Sequence, residues 1–287
     1  MKTRFVLVIG ATGNQGRAVI ESLLKRGHRA RALVRDSNSQ ASRSLKEMGA
    51  ELVVGTFDDP KSLEKAASGV DAVFAMTTPM AGIDLEIKNG KTIVDTVTRL
   101  KTPHLVFSSV ANADQHTNIP HFDSKYEIEK YIRKREIPCT VIGPVFFMNN
   151  ILFPWNITDL KNGIFRQAMK PDLKLKQIST KDIGNFSAWV IEKREPFIGK
   201  RFDIAADELS GHEMTQILSK TTGRTIEYVE QPIEEVRSQS TDMATMYEWF
   251  ENVGFTSDIE RLRRDYPKVE WWSFEQWASA QDWESIL

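Results

Sequence analysis

The stretch VIGATGNQG, residues 8–16, limits what this chain can fold into more than any other. A β-branched run, residues 5–9, leads into it, and a helical pattern over residues 16–26 leads out. Its glycines, Gly10, Gly13 and Gly16, recur at every third position. At a strand-to-helix junction, Gly10 permits a tight turn, Gly13 lets backbone approach a pyrophosphate, and Gly16 lets helix and strand pack closely. The helix start adds free N–H groups and a partial positive charge. Thr12, Asn14 and Gln15 can add hydrogen bonds. Such a turn can also be purely structural; its place at the head of an alternating chain favours the dinucleotide.

That alternation continues. Strand patterns at 29–34, 51–54, 71–76, 104–109 and 139–142 alternate with helical patterns near 45–48, from Pro60, and over 84–100 and 121–135. The expected fold is α/β, a Rossmann-type doubly wound parallel sheet. After Pro144 the pattern turns aromatic and irregular. Residues 174–178 have strand character, 179–182 open a helix that runs to about 193, 201–205 form another strand, and helical stretches follow from Ser210 to the end. The expected division is residues 1–150 and about 175–205 for the sheet domain. Residues 151–174 and 206–287 then form a smaller, mostly helical second domain. Five of the 7 tryptophans, Trp249, Trp271, Trp272, Trp277 and Trp283, fall in that last part, which suggests aromatic packing.

With 38 basic and 39 acidic residues, the chain offers no broad footprint for nucleic acid or a membrane surface. No apolar run approaches the roughly 20 residues that span a bilayer, and Gly10 interrupts the first apolar run too early for a signal peptide. Cys139 is the single cysteine, which fits a reducing, cytoplasmic setting without disulfides. The histidines show no metal-ligand spacing, so no metal is expected.

The second strand ends in LVRD. Nicotinamide dinucleotide proteins that prefer NAD place an acid about 20 residues past the glycines, on the ribose. Arg35 stands there, 19 residues after Gly16, and suits a 2′-phosphate, so NADP(H) is favoured. Asp36 follows directly and keeps NAD(H) open.

Taken with GATGNQG and LVRD, the segments GTFDDPKSL, VFAMTTP, VFSSVAN, HFDSK, GPVFFMNN and SFEQW carry a resemblance across nearly the whole chain. The chain resembles the NmrA-like family, atypical members of the short-chain dehydrogenase/reductase superfamily. The resemblance implies a cofactor cleft between a Rossmann domain and a small second domain. It implies that Thr77, Thr78 and Pro79 lie along the cofactor and that Lys125 contacts the nicotinamide ribose. It also implies that Pro144, Phe146 and Phe147 flank the nicotinamide. Some relatives reduce quinones or phenylpropanoid-type compounds; others bind the cofactor and act as regulators through protein partners.

Two Lys residues compete for the ribose role. HFDSKYEIEK, residues 121–130, contains YEIEK, the Tyr-x-x-x-Lys spacing of short-chain reductases, and the overlapping HFDSK. Counting 100° per residue from His121, Lys125 falls at about 40°, Ile128 at about 340° and Ile132 at about 20°. Tyr126 and Lys130 fall at about 140° and 180°. The isoleucines should face the sheet, so Lys125 points inward and YEIEK toward solvent. His121 then occupies the place of the usual tyrosine, as a proton donor or as a plain helix-start residue. Ser108 and Ser109 could present a hydroxyl to substrate. Met80, Phe146, Phe147, Met148 and Trp155 could wall an apolar pocket or simply form core. The expected activity is reduction of a small apolar carbonyl, enone or quinone, the alternative being a cofactor-sensing regulator.

Overall fold

The computed structural model describes residues 2–57 and 59–287; Met1 and Asp58, the latter within GTFDDPKSL, lie outside the described residues. The strands are β1 (Phe5–Val8), β2 (Arg29–Val34), β3 (Glu51–Val54), β4 (Ala72–Met76), β5 (Leu105–Ser108), β6 (Cys139–Pro144), β7 (Phe146–Phe147), β8 (Ile164–Gln167), β9 (Lys174–Ile178), β10 (Arg201–Ile204), β11 (Asp207–Ser210) and β12 (Glu227–Glu230). The helices that carry the argument are α1 (Asn14–Lys25), α2 (Gln40–Glu47), α3 (Pro60–Ala67), α4 (Ile83–Arg99), α5 (Pro120–Lys134), α6 (Pro154–Lys161), α7 (Thr180–Lys193), α8 (Gly211–Thr222), α9 (Ile233–Gln239) and α10 (Thr241–Asn252).

Seven strands form one sheet in the order β10-β6-β5-β4-β1-β2-β3. The pairs β1–β2, β2–β3, β1–β4, β4–β5 and β5–β6 are all parallel. From β1 the chain builds outward through β2 and β3, then returns to the other side of β1 with β4. The strand order therefore reverses between β1 and β4, where open α/β sheets offer a crevice at the strand ends. Central strands such as FVLV, AVFAM and LVFS are nearly unbroken apolar runs, as two covered faces require. Leu7, Val73, Phe107, Ile128 and Ile132 share one buried cluster. Cys139 lies in the same cluster, and burial pushes its thiol pKa well above the ordinary value.

Helices α4 and α5 cross tightly because α4 has a glycine at the contact. A Cβ on Gly90 would lie 2.4 Å from Ile128 Cδ1. One turn before each of these residues stand Glu86 on α4 and Ser124 and Lys125 on α5.

The chain divides into two compact units. Unit 1 is Met1–His116, Pro120–Gly143 and Ile183–Asp203; unit 2 is Thr117–Ile119, Pro144–Asp182 and Ile204–Leu287. This differs from the sequence division at its inner boundaries. Lys174–Ile178 does not return to the large sheet; it pairs with β11 and β7 in a three-stranded sheet of unit 2. The return comes within α7, whose first residues, Thr180 to Asp182, still belong to unit 2. Unit 2 also holds the parallel pair β8–β12.

The start of α7 is closed by reciprocal bonds. Ser179 Oγ donates to Asp182 Oδ2 at 2.7 Å, and Asp182 N–H donates back to Ser179 Oγ at 3.1 Å. Asp182 Oδ1 accepts Trp272 N–H at 3.0 Å, which ties a distant segment of unit 2 to this cap. Burial pushes the Asp182 pKa up to about 6, against the hydrogen bonds from Ser179 and Trp272. A carboxyl pKa raised in the folded state adds stability below its unfolded value, near 3.9, that is lost as pH rises through the folded one. Stability is thus expected to fall between about pH 4 and 6 by roughly 3 kcal/mol from this group. His104 works the opposite way, since burial lowers its pKa to about 4. Urea unfolding across this range compares the two directly: Asp182→Asn should remove the falling component, and a difference curve flat with pH would refute it.

Candidate functional site

Three strand ends of unit 1 meet at the switch point: the glycine loop after β1, Thr77 after β4, and Ser108 and Ser109 at β5. Gly10 has φ 76°, and a Cβ on it would lie 2.7 Å from Met76 Sδ. A Cβ on Gly16 would come within 2.2 Å of the Gly10 carbonyl oxygen. Both positions require glycine. Gly13 is the N-cap of α1, with φ −86°, and a Cβ there would meet nothing closer than the Gly10 oxygen at 3.4 Å. No side chain caps α1, and its first turn carries no acid. Thr12, Gly13 and Asn14 are exposed around this positive helix end. Gln15 differs from the sequence expectation. It is buried, and its side-chain oxygen accepts the Ser108 hydroxyl at 2.7 Å, because its helix position turns it toward β5.

At the end of β2, Arg35 and Asp36 are both exposed. The Asp36 carboxylate accepts Asn38 N–H at 2.8 Å, and its carbonyl accepts the Ser39 and Ser42 hydroxyls. The acid is therefore engaged in its own turn, whereas the Arg35 guanidinium makes no hydrogen bond among the described residues.

Lys125 is buried, with Ile128 and Ile132 on the same inward face. Its ammonium donates to the Thr77 carbonyl and, at 3.0 Å, to Thr77 Oγ1, and it pairs with Glu86 Oε1 at 2.5 Å. Glu86 is fully enclosed, and it also accepts Thr77 Oγ1 at 2.9 Å and Ser124 Oγ at 2.5 Å. Burial holds the Lys125 pKa below the ordinary lysine value, while the Glu86 carboxylate raises it. The sequence reading missed Glu86. The signal was its place on the inward stripe Glu86, Gly90, Ile93 and Val97, with steps of four, three and four.

The competing dyad lies outside. Lys130 is exposed, pairs with Glu127, and sits 5.3 Å from the Tyr126 ring centre. His121 is half-buried in the first turn of α5, edge-on to the Phe122 ring at 4.8 Å. Ser109 Oγ donates to the enclosed Glu129 carboxylate at 2.5 Å, and Arg201 pairs with the same carboxylate. Both candidate serines, Ser108 and Ser109, thus spend their hydroxyl protons inside the fold.

Thr78 is exposed and caps the short turn Pro79–Ala81. Met80 is 89% exposed. Pro144 ends β6 and is buried; Phe146 and Phe147 form β7 in unit 2. Met148 is core. Phe146 and Trp155 line a cavity of about 490 Å³ contained within unit 2. Among the described residues there is no group of side chains that could hold a metal, and no helix is long and apolar enough to cross a membrane.

The family model for the NmrA-like family matches residues 2–279. An NmrA-like family domain-containing protein of Dictyostelium discoideum is 27% identical over 265 residues, covering 87% of this chain and 88% of the relative. Among solved structures, the negative transcriptional regulator NmrA in complex with NADP superposes with a TM-score of 0.80 at 20% identity, covering 99% of this chain and 100% of the other. That regulator is also known in complex with NAD. The Citrobacter sp. triphenylmethane reductase complexed with NADP(H) gives 0.81 at 19% identity, covering 98% and 100%. The doubly wound sheet, its glycine loop and the full-length match agree, and the chain belongs to the NmrA-like family.

Proposed function

We propose that this protein binds NADP(H) and reduces a small apolar carbonyl, enone or quinone. The observation that carries the reading is the enclosed Lys125, held by Thr77 and Glu86 at the strand ends beside the glycine loop. The loop fits a dinucleotide: Gly10 and Gly16 stand where a Cβ would collide, Gly13 leaves the helix end bare, and the open end of α1 is uncapped. Gly10, Gly13 and Gly16 with Thr12 and Asn14 would hold the pyrophosphate, Arg35 the 2′-phosphate, and Lys125 with Thr77 the ribose. Pro144, Phe146 and Phe147 carry the nicotinamide-flanking role that the family resemblance gives them. The bound nicotinamide supplies hydride. Thr77 Oγ1 already donates to Glu86, so it is the partner Lys125 releases most cheaply when a ribose hydroxyl arrives. His121, or water, supplies the proton. The Citrobacter neighbour, a reductase by name, supports this reading.

The test is NADPH oxidation by pure protein across carbonyl, enone and quinone acceptors, with Lys125→Ala as control. Acceptor-dependent oxidation lost in the variant is expected; none above the control refutes catalysis. A second reading, a cofactor-sensing regulator, is favoured by one observation. Glu86 neutralises Lys125 within the fold, so ribose contact is not needed to offset the cost of burying the ammonium. Tight NADPH binding without turnover would support it.

NADP preference follows from Arg35 and the self-engaged Asp36. Arg35→Ala should weaken NADPH about tenfold, the scale of one exposed charge-assisted hydrogen bond, and leave NADH nearly unchanged. Equal wild-type affinities for the two cofactors, by titration calorimetry, would rule the preference out.

A further inference from the structure

Several polar side chains that line the cavity of unit 2 make no side-chain hydrogen bond among the described residues, Gln167 and Tyr247 among them. Gln167 is 7% exposed, lies on the inward face of β8 beside Phe165, and its side-chain amide makes no hydrogen bond among the described residues. The Tyr247 hydroxyl, from α10, likewise makes none. Both side chains belong to the lining of the cavity. The Gln167 amide can donate or accept a hydrogen bond, and the half-buried Tyr247 phenol can donate one. Two such groups lining one cavity are what a binding site for an oxygen-bearing ligand requires.

The walls narrow the ligand further. Phe146, Phe165 and Tyr247 are aromatic, and Phe153 stacks on Trp155 at 4.8 Å with rings 24° apart. Trp155 is 64% exposed, an unusual exposure for so large a ring, and it lines the cavity from its open side. Flat walls favour a flat guest. The charged lining residues, Asp159 and Arg166, pair with each other at 3.1 Å and so present little net charge. Burial pushes the Tyr247 pKa up to about 12, so the phenol stays a proton donor at neutral pH. A volume of about 490 Å³ suits a small molecule of two or three fused rings.

We propose that this cavity binds a neutral, planar aromatic ketone or quinone, with Gln167 and Tyr247 holding its oxygen. The binding claim stands on unit 2 alone; calling that ligand the substrate rests on the reductase reading above.

The experiment uses the full chain without cofactor and three related probes: 9-fluorenone, fluorene and fluorenone carboxylate. Affinities come from titration calorimetry. Fluorenone should bind about 5- to 10-fold tighter than fluorene, which lacks only the oxygen, and tighter than the carboxylate. Gln167→Leu and Tyr247→Phe should each erase most of that difference while leaving fluorene unchanged. Trp155→Ala should weaken fluorenone and fluorene alike. Equal binding of fluorenone and fluorene to the wild type overturns the oxygen-reading role whatever the variants do. No binding of any probe, while NADPH still binds, overturns the site. Binding of fluorenone with no NADPH oxidation by it leaves the site standing and overturns the claim that this ligand is the substrate.

Discussion

Lys125→Ala is expected to lower stability by about 3–5 kcal/mol, the usual cost of stranding one partner of a buried ion pair. The stranded group is Glu86, whose carboxylate is wholly enclosed and would keep only Thr77 and Ser124 as donors. Urea unfolding of wild type and variant measures the difference. The double variant Lys125→Met/Glu86→Leu should recover most of the loss, because removing both charges spares their desolvation. It should nevertheless stay as weak in NADPH binding as Lys125→Ala, which separates the structural role of the lysine from its proposed contact with ribose. Lys130→Ala and Tyr126→Phe should change little, since both side chains sit in a solvated cluster with Glu127 and Arg133. A damaging Lys130→Ala beside a silent Lys125→Ala would mean that YEIEK is the working dyad.

The glycine loop yields the second large effect, through a contrast between two neighbouring substitutions. Gly16→Ala places a carbon 2.2 Å from a backbone oxygen, so the loop itself must shift. Losing two aligned phosphate contacts at 1.5–3 kcal/mol each should weaken NADPH by about 100-fold or more, with a lower melting temperature. Gly13→Ala introduces no such clash, and its φ of −86° suits alanine. Its methyl group should obstruct only a pyrophosphate approaching the N-terminus of α1. Weakened NADPH at unchanged melting temperature is therefore expected. If Gly13→Ala binds NADPH as well as wild type does, the loop is a structural turn and not a phosphate site.

Unit 1 was legible in the sequence because its signals are local. Strands covered on both faces read as apolar runs, and Gly10, Gly27 and Gly49 mark turns at positive φ. The inward phase of α5 followed from the two isoleucines alone. Glu86 was not legible because it stands in the first turn of α4 with Asp84, where acids ordinarily answer the helix dipole. The inward stripe with Gly90, Ile93 and Val97 marks its face, but only the close crossing at Gly90 brings it to Lys125, and the pattern of one helix does not name the residue it meets on another. Gln15 misled for a related reason: it lies in a loop motif, yet its side chain belongs to β5. In unit 2, β7, β8 and β12 were missed because β7 spans two residues, and IFRQ and EYVE lack the apolar runs that mark strands of equal length in unit 1. Gln167 stayed hidden with them, since only pairing with β12 fixes which face of β8 turns inward.

The burial of Cys139 bears on the company this protein can keep. Enones and quinones are Michael acceptors, and they consume accessible thiolates by alkylation. The chain's single thiol is 5% exposed and is held protonated by burial in the sheet core. An electrophilic guest therefore finds no ready sulfur nucleophile to inactivate. Exposure to such compounds should leave Cys139 unmodified, a protection set by where one strand places one residue.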